Sequence, residues 1–380
     1  MKVRKYDSKS ITSYAFPENL RRFPSMYIGS TDSHGLFLIL RELLDNAVDE
    51  YLADRATAVQ VYFDEGSYWV HDNGTGIPQG IKKLKVMVHG KEVVSKMPTM
   101  QAIFGTLHTS GKHGEAYGVS RGVHGCGSKA TNALSLSFKV WTKYQGDWYH
   151  IAFAKGKLTT DGVVRAKPPK NQPFDKIVKG SLIYFEPDTS IFTAKKFAGS
   201  LISEWSKITS YLSPKFKITL ISSKNPKKPI VYYSENGPRD YINERIDELK
   251  VKPIKAKLYF EAHNELVDTV VAFTDYDGCD LKGYTNGLAN AEGGTHVNGV
   301  QNGMMRALKP FAKKKHKFTA HEFKDGLLGI VNAKLSGAKF SSQEKIKLAD
   351  PRFDKDFEDW IYKQATIFFK KNPKLANELC

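Results

Sequence analysis

The chain has 380 residues, 41% hydrophobic and 26% charged, a balance that excludes disordered and fibrous classes and leaves room for two domains with cores of their own. No uninterrupted apolar run approaches membrane-spanning length, and the basic start MKVRKYDSKS is followed by no apolar stretch of the signal-peptide kind. A net charge of +17 favours a polyanionic partner, and the three widely spaced cysteines, Cys126, Cys279 and Cys380, read as free thiols in a reducing compartment.

The first strong element is an amphipathic helix over about residues 35–53, with Leu36, Leu40, Leu43, Leu44, Ala47, Val48 and Tyr51 as its apolar side. Within it, ELLDNAVDE places Glu42, Asn46 and Asp49 at i, i+4 and i+7, which predicts one polar face. A carboxylate one turn from an amide suits a general base beside a Mg²⁺ ligand. Taken alone, such a face is more often simply solvated. The strand VQVYFDE and the strand YWVHD follow, joined by a turn at Gly66–Ser67. HDNGTGIP then ends the second strand on one acid, Asp72, and turns through Gly74 and Gly76. A buried aspartate there can accept a hydrogen bond from the exocyclic amine of adenine.

GVSRGVHGCGSKATNALS at 118–135 sets Gly122, Gly125 and Gly127 before a helix, a run that lets backbone approach phosphate. GTLHTSGKH at 105–113 resembles a Walker loop but has one residue too many between its glycines and lacks Ser or Thr after Lys112, so that source of nucleotide binding is rejected. Strands LSFKVWTKY, DWYHIAFAKG and GSLIYFEPD complete a sheet covered by helices on one face, and 192–212 reads as helical. The chain divides near residue 215, where FKITLIS restarts the strand pattern. Strands VYYSENGP, AKLYFEA and TVVAFTD, a helical stretch around 299–315, the strand in DGLLGIVNAKLSG and an amphipathic helix at 355–372 follow.

These segments, in order and spacing, resemble the three nucleotide motifs of the ATPase family shared by gyrase, mismatch-repair, heat-shock chaperone and histidine kinase proteins. More specific matches point to one branch, the B subunits of type IIA DNA topoisomerases. RRFPSMYIGSTD at 21–32 is similar to the segment before that branch's catalytic helix. EGGTHVNG at 292–299 resembles its second-domain signature, and AKFSSQEKIKL at 338–348 resembles the loop that reaches the nucleotide. YDSKSI at 6–11 resembles its N-terminal strap. The resemblance implies an α+β chain: a Bergerat-type (GHKL) ATPase domain over 1–214 with a dimerisation arm in 1–20, then a transducer domain of β-α-β, ribosomal-protein-like fold over 215–380.

By the same resemblance, Glu42 is the general base and Asn46 binds Mg²⁺. Asp72 holds adenine with Gly76, Ile77 and Ser181. Gly122, Val123, His124, Gly125, Cys126 and Gly127 wrap the phosphates of ATP, with Lys112 in the closing lid. Gln343 and Lys345 contact the γ-phosphate, while Tyr6 and Ile11 reach the partner protomer. The chain departs from the family in four places: Thr75 where the turn commonly has arginine, Tyr144 for a second arginine, Leu38 for a histidine, and Glu344 inside the QEK loop.

The function so implied is an ATP-operated dimerisation gate that couples turnover to passage of double-stranded DNA, in the bacterial or phage-infected cytoplasm. Its partners would be itself, as an ATP-dependent homodimer, a DNA-cleavage domain and an A-type subunit, with no membrane. The sequence stops about where that cleavage domain is expected to begin, and its abundant lysine suits a viral source. The competing expectation is a mismatch-repair-like clamp, or a non-supercoiling regulator, that dimerises on nucleotide.

Overall fold

The computed structural model describes residues 14–88, 91–107, 109, 120–121, 127–312, 323–341 and 345–380. By contacts the chain forms two compact units. The first draws on Met1–Ala116, Gly122–Trp205 and Lys217–Tyr232, and the second on Tyr117–Arg121, Ser206–Phe216 and Tyr233–Cys380.

The first unit opens with short helices α1 (Glu18–Arg22) and α2 (Ser25–Ile28), then the long α3 (Ser33–Leu52). Asp32 starts α3 by accepting the amides of His34 and Gly35 at 2.9 and 3.3 Å, and is itself held by Ser30 Oγ at 2.6 Å. The apolar stripe is buried from Leu36 through Val48. The helix stops where Asp54 turns left-handed, at φ 56°.

Strands β1 (Ala58–Asp64) and β2 (Ser67–Asp72) follow, then a separate ladder of β3 (Ile81–Val88) and β4 (Lys91–Pro98). After them come α4 (Thr99–Gly105), α5 (Gly127–Ala133), β5 (Ser135–Tyr144), β6 (Asp147–Ala154), the short β7 (Lys157–Leu158) and β8 (Val164–Arg165), and β9 (Ser181–Pro187). The helix α6 (Gly199–Leu212) is shorter than its sequence pattern suggests. Residues 192–198 stay out of it because Phe192 is tied to the Asp188 carbonyl and Phe197 is inserted among Phe37, Phe63 and Tyr68.

The strand FKITLIS, which the sequence pattern makes the start of a new unit, completes the first sheet instead. β10 (Lys217–Ser222) pairs in parallel with β1, and β11 (Ile230–Tyr232) closes the edge. The nine strands run β11-β10-β1-β2-β9-β5-β6-β7, with β8 on β6. Helices α3 and α5 pack on one face of this sheet. On the other, Trp69, Trp141, Tyr184 and Leu182 lie under Phe174 and Ile177.

In the second unit, α7 (Pro238–Leu249) precedes β12 (Phe260–His263), β13 (Val267–Phe273), β14 (Cys279–Thr285) and β15 (Leu288–Asn290), then α8 (Thr295–Leu308) and β16 (Leu327–Ala333). The sheet order is β12-β13-β16-β14-β15, with β14 parallel to β16 and α8 in the connection between them, a β-α-β unit. The C-terminal helices α9 (Lys355–Lys371) and α10 (Pro373–Glu378) finish the chain.

Helices α8 and α9 meet at two glycines one turn apart. A β-carbon on Gly299 would lie 2.7 Å from the Phe357 ring, and one on Gly303 would lie 2.6 Å from Ile361 and 2.8 Å from the Glu358 carbonyl oxygen. Hydrogen at those positions lets the helix backbones approach. No helix among the described residues is long and apolar enough to cross a membrane.

Candidate functional site

The site of the first unit is built on α3. Leu38, Glu42, Asn46 and Glu50 recur every four residues and are each partly exposed, whereas the residues between them on the core side are buried. Asp49, expected on this polar face, is fully buried. The repeat of four selects Glu50 for the open stripe and turns position 49 toward the core.

At one end of the stripe, the Glu42 carboxylate lies on the first residue of α5. A β-carbon on Gly127 would sit 1.7 Å from Glu42 Oε2, so glycine here leaves the space that the carboxylate occupies. Thr131 Oγ1 ties α5 to α3 by donating to the Ile39 carbonyl at 2.8 Å, and Asn132 Nδ2 ties α5 to α4 by donating to the Phe104 carbonyl at 3.0 Å.

At the other end, Asp72 closes β2. The sheet register sets Val59, Asp72, Ser181 and Thr142 in one row across β1, β2, β9 and β5. Asp72 Oδ1 accepts the Gly74 amide at 2.8 Å. Burial pushes its carboxyl up to about 7; the Gly74 amide pulls the other way and the nearby Glu50 charge adds to the rise.

Thr142 Oγ1 accepts the Ile77 amide at 2.8 Å and lies 3.0 Å from Ser181 Oγ. Gly76 adopts φ 79°, with the space for a β-carbon only 1.9 Å from the Lys143 carbonyl oxygen. The Asp72–Pro78 turn is therefore pinned to β5 by its second glycine. Four of the residues expected from sequence, Asp72, Gly76, Ile77 and Ser181, come together in this corner. Thr142 and Glu50 join them, although no sequence signal singled out Thr142.

The segment before α3 is fastened from below. Arg21 donates to the Ala133 carbonyl at 2.8 Å and pairs with Asp188 at 2.6 Å. Although burial opposes it, hydrogen bonds from Ser190 and Arg21 hold the Asp188 carboxyl down at about 2. This is the structural content of RRFPSMYIGSTD: it anchors the entry to α3.

In the second unit, Lys345 takes a left-handed φ of 59°, and its carbonyl accepts Asn290 Nδ2 at 2.8 Å. The EGGTH signature braces the segment that follows. Glu292 N donates to the Ile346 carbonyl at 2.9 Å, Leu348 N to the Gly293 carbonyl at 3.1 Å, and Thr295 N to the Leu348 carbonyl at 3.0 Å. Gly294 is required, since a β-carbon would lie 2.3 Å from the Leu348 oxygen. Tyr6, Ile11, Lys112, Gly122, Val123, His124, Gly125, Cys126, Gln343 and Glu344 lie outside the described residues. Among the described residues, no group of three or more His, Cys, Asp or Glu is arranged to hold a metal.

Residues 237–380 match the family model described as DNA gyrase B. The chain is 32% identical to the B subunit of DNA topoisomerase 4 from Mycoplasma capricolum subsp. capricolum, over 99% of this chain and 57% of that protein. It is 29% identical to the B subunit of DNA gyrase from Clostridium acetobutylicum, over 98% of this chain and 57% of that protein. It thus spans little more than half the length of these curated relatives. The solved 43K ATPase domain of Thermus thermophilus gyrase B, held with an aminocoumarin, superposes with a TM-score of 0.74 at 25% identity, covering 95% of this chain and 92% of that one. The α+β architecture expected from sequence is the architecture of that domain, and the chain belongs to the family of DNA gyrase and topoisomerase IV B subunits.

Proposed function

We propose that this chain is the ATP-binding and ATP-hydrolysing gate of a type IIA DNA topoisomerase: a cytoplasmic homodimer that closes on nucleotide around a DNA duplex and reopens on hydrolysis. Cleavage of the duplex falls to a DNA-cleavage domain and an A-type subunit. The relatives' names support this assignment, and one observation carries it here. The polar stripe of α3 runs from Glu50, beside the Asp72 corner, to Glu42, on Gly127. Eight residues of helix span about 12 Å, a length suited to a base at one end and terminal phosphates at the other.

In this reading Asp72 accepts the adenine amine, while Ser181, Thr142 and the Gly76–Ile77 turn fix its height. Gly127 ends the phosphate wrap of 122–127, and Glu42 draws a proton from the attacking water. The donor set fits a magnesium ion held by one amide, Asn46, and otherwise by substrate phosphates, the usual arrangement for this ion; when bound, it would neutralise phosphate charge. Gln343 and Lys345 would report the γ-phosphate to the transducer. Tyr6 and Ile11 would form the partner arm of the ATPase domain, which extends past the expected boundary at 214 to include β10 and β11, and the transducer would follow from Tyr233.

Glu42→Ala tests the chemistry. Turnover is expected to fall by about 10²–10⁴-fold while Mg-ATP still binds, read by titration and phosphate release on one sample. Near-normal turnover would remove Glu42 from the mechanism.

A further inference from the structure

Asp72 does not stand alone at its corner. Glu50 Oε2 lies 3.4 Å from Thr75 Oγ1 and would be 3.1 Å from a β-carbon on Gly74; the same β-carbon would be 2.8 Å from Asp72 Oδ1. A single glycine, without a side chain, separates the two carboxylates. Like charges at such range oppose each other's ionisation, and Thr75 brings a hydroxyl but no charge.

The cation comes from behind. Arg55 Nε donates to Glu50 Oε2 at 3.1 Å and Nη2 to Oε1 at 2.9 Å, a two-pronged pair in which the side chains are 27% and 17% exposed. The chain end of α3 is shaped to make it. Asp54 turns left-handed, and the amides of Arg55 and Ala56 both fold back onto the Glu50 carbonyl at 2.8 and 3.2 Å. Arg55 therefore caps the helix and clamps its last acidic side chain together.

We propose that Arg55 is a positioning residue for nucleobase recognition: by neutralising Glu50 it keeps Asp72 an ionised acceptor, so that the site takes a 6-aminopurine nucleotide in preference to a 6-oxopurine one. The amine of the first donates to a carboxylate; the oxygen of the second needs a donor, which Asp72 offers only when protonated. This rests on the nucleotide-site reading above. The groups that face Asp72 among the described residues come from each neighbouring element. They are Glu50 of α3 with Arg55 behind it, Ser181 of β9, Thr142 of β5 along the same row, and the Gly74 amide of the turn. His71 turns to the opposite face of the sheet, where Nε2 lies 3.1 Å from the Lys179 carbonyl.

The test is calorimetric titration with ATP and with inosine triphosphate between pH 6 and 9, on the unaltered protein, Arg55→Gln, Arg55→Lys and the double variant Arg55→Gln/Glu50→Gln. In the unaltered protein ATP affinity rises with pH and then levels. In Arg55→Gln the rise moves upward by about one pH unit, an affinity loss of about tenfold below the midpoint that vanishes at pH 9. Inosine triphosphate gains on ATP at the acid end. Arg55→Lys keeps most of the original profile, and removing Glu50's charge in the double variant restores it. An Arg55→Gln profile that overlays the original, or that falls equally at every pH without rescue by the double variant, overturns the proposal. Failure of the unaltered protein to bind ATP at any pH would instead overturn the nucleotide-site reading beneath it.

Discussion

Replacing Gly127 by alanine separates the chemistry proposed for Glu42 from its contribution to the fold. The added β-carbon would lie 1.7 Å from Glu42 Oε2 and 2.4 Å from its carboxyl carbon. Non-bonded heavy atoms settle at about 3.5–4.0 Å, so the carboxylate must withdraw by about 2 Å. The obstructed atoms are the far end of a flexible side chain on a half-buried stripe, and a rotamer change relieves the clash at small cost. Alanine in place of a helical glycine returns up to about 0.5–1 kcal/mol, so the melting temperature is expected to hold or rise. Catalysis has no such escape. Displacing a reacting group by about 1 Å can cost about 10²-fold, and loss of a general base about 10²–10⁴-fold. Gly127→Ala should therefore be stable and nearly inert in a phosphate-release assay, and Glu42→Ala combined with it should add little further loss. A Gly127→Ala protein that turns over ATP within about threefold of the original rate would refute the working position of Glu42.

Thr142→Val keeps the side-chain shape but leaves the Ile77 amide without the acceptor it has at 2.8 Å. A loss of about 1–3 kcal/mol is expected in denaturant unfolding, together with weaker nucleotide binding; unchanged values in both would remove Thr142 from the site. Gly303→Val forces a side chain into the contact of α8 with Ile361 and Glu358. About 1–3 kcal/mol of destabilisation should appear in the same assay, and a neutral result would mean that the two helices do not approach this closely.

The fold was legible where local chemistry and burial agree. The apolar stripe of α3 and the alternation of β1, β2, β5, β6 and β9 carry their own signals. Pairing between distant segments does not. Nothing local in FKITLIS says that it will lie parallel to VQVYFDE, some 160 residues earlier, because parallel register is set by what the sheet buries, not by a turn. The ladder of β3 and β4 was missed for a related reason: its runs, IKKLKVMV and KEVVSKMP, mix lysine with valine and so read as a charged face.

The site was legible to the same depth. Glycine-bearing turns and helix spacing led to Glu42, Asn46, Asp72, Gly76 and Gly127, whereas the Thr142 and Arg55 contacts depend on register and on a single left-handed residue. Electrostatics lie one level deeper still, and they yield a last prediction. Asp72 titrates near 7 in the folded chain, above the 3.8 of an ordinary aspartate. Its protonated form is thus favoured by folding, so the associated stability is complete below about pH 4. It is lost progressively as pH climbs to about 7, and is constant beyond. The adenine recognition proposed for Asp72 asks for the opposite form, since only the carboxylate accepts without offering a competing donor. Without nucleotide, Asp72→Asn should therefore melt at a progressively higher temperature than the original protein as pH rises from 4 to 7, the gap levelling above 7. With saturating Mg-ATP, the stabilisation gained by the original protein should increase from pH 6 to 8. In Asp72→Asn it should be small and flat. Thermal melts of both proteins across that range, with and without Mg-ATP, decide the matter: parallel curves throughout would show that Asp72 neither titrates in this interval nor meets the base.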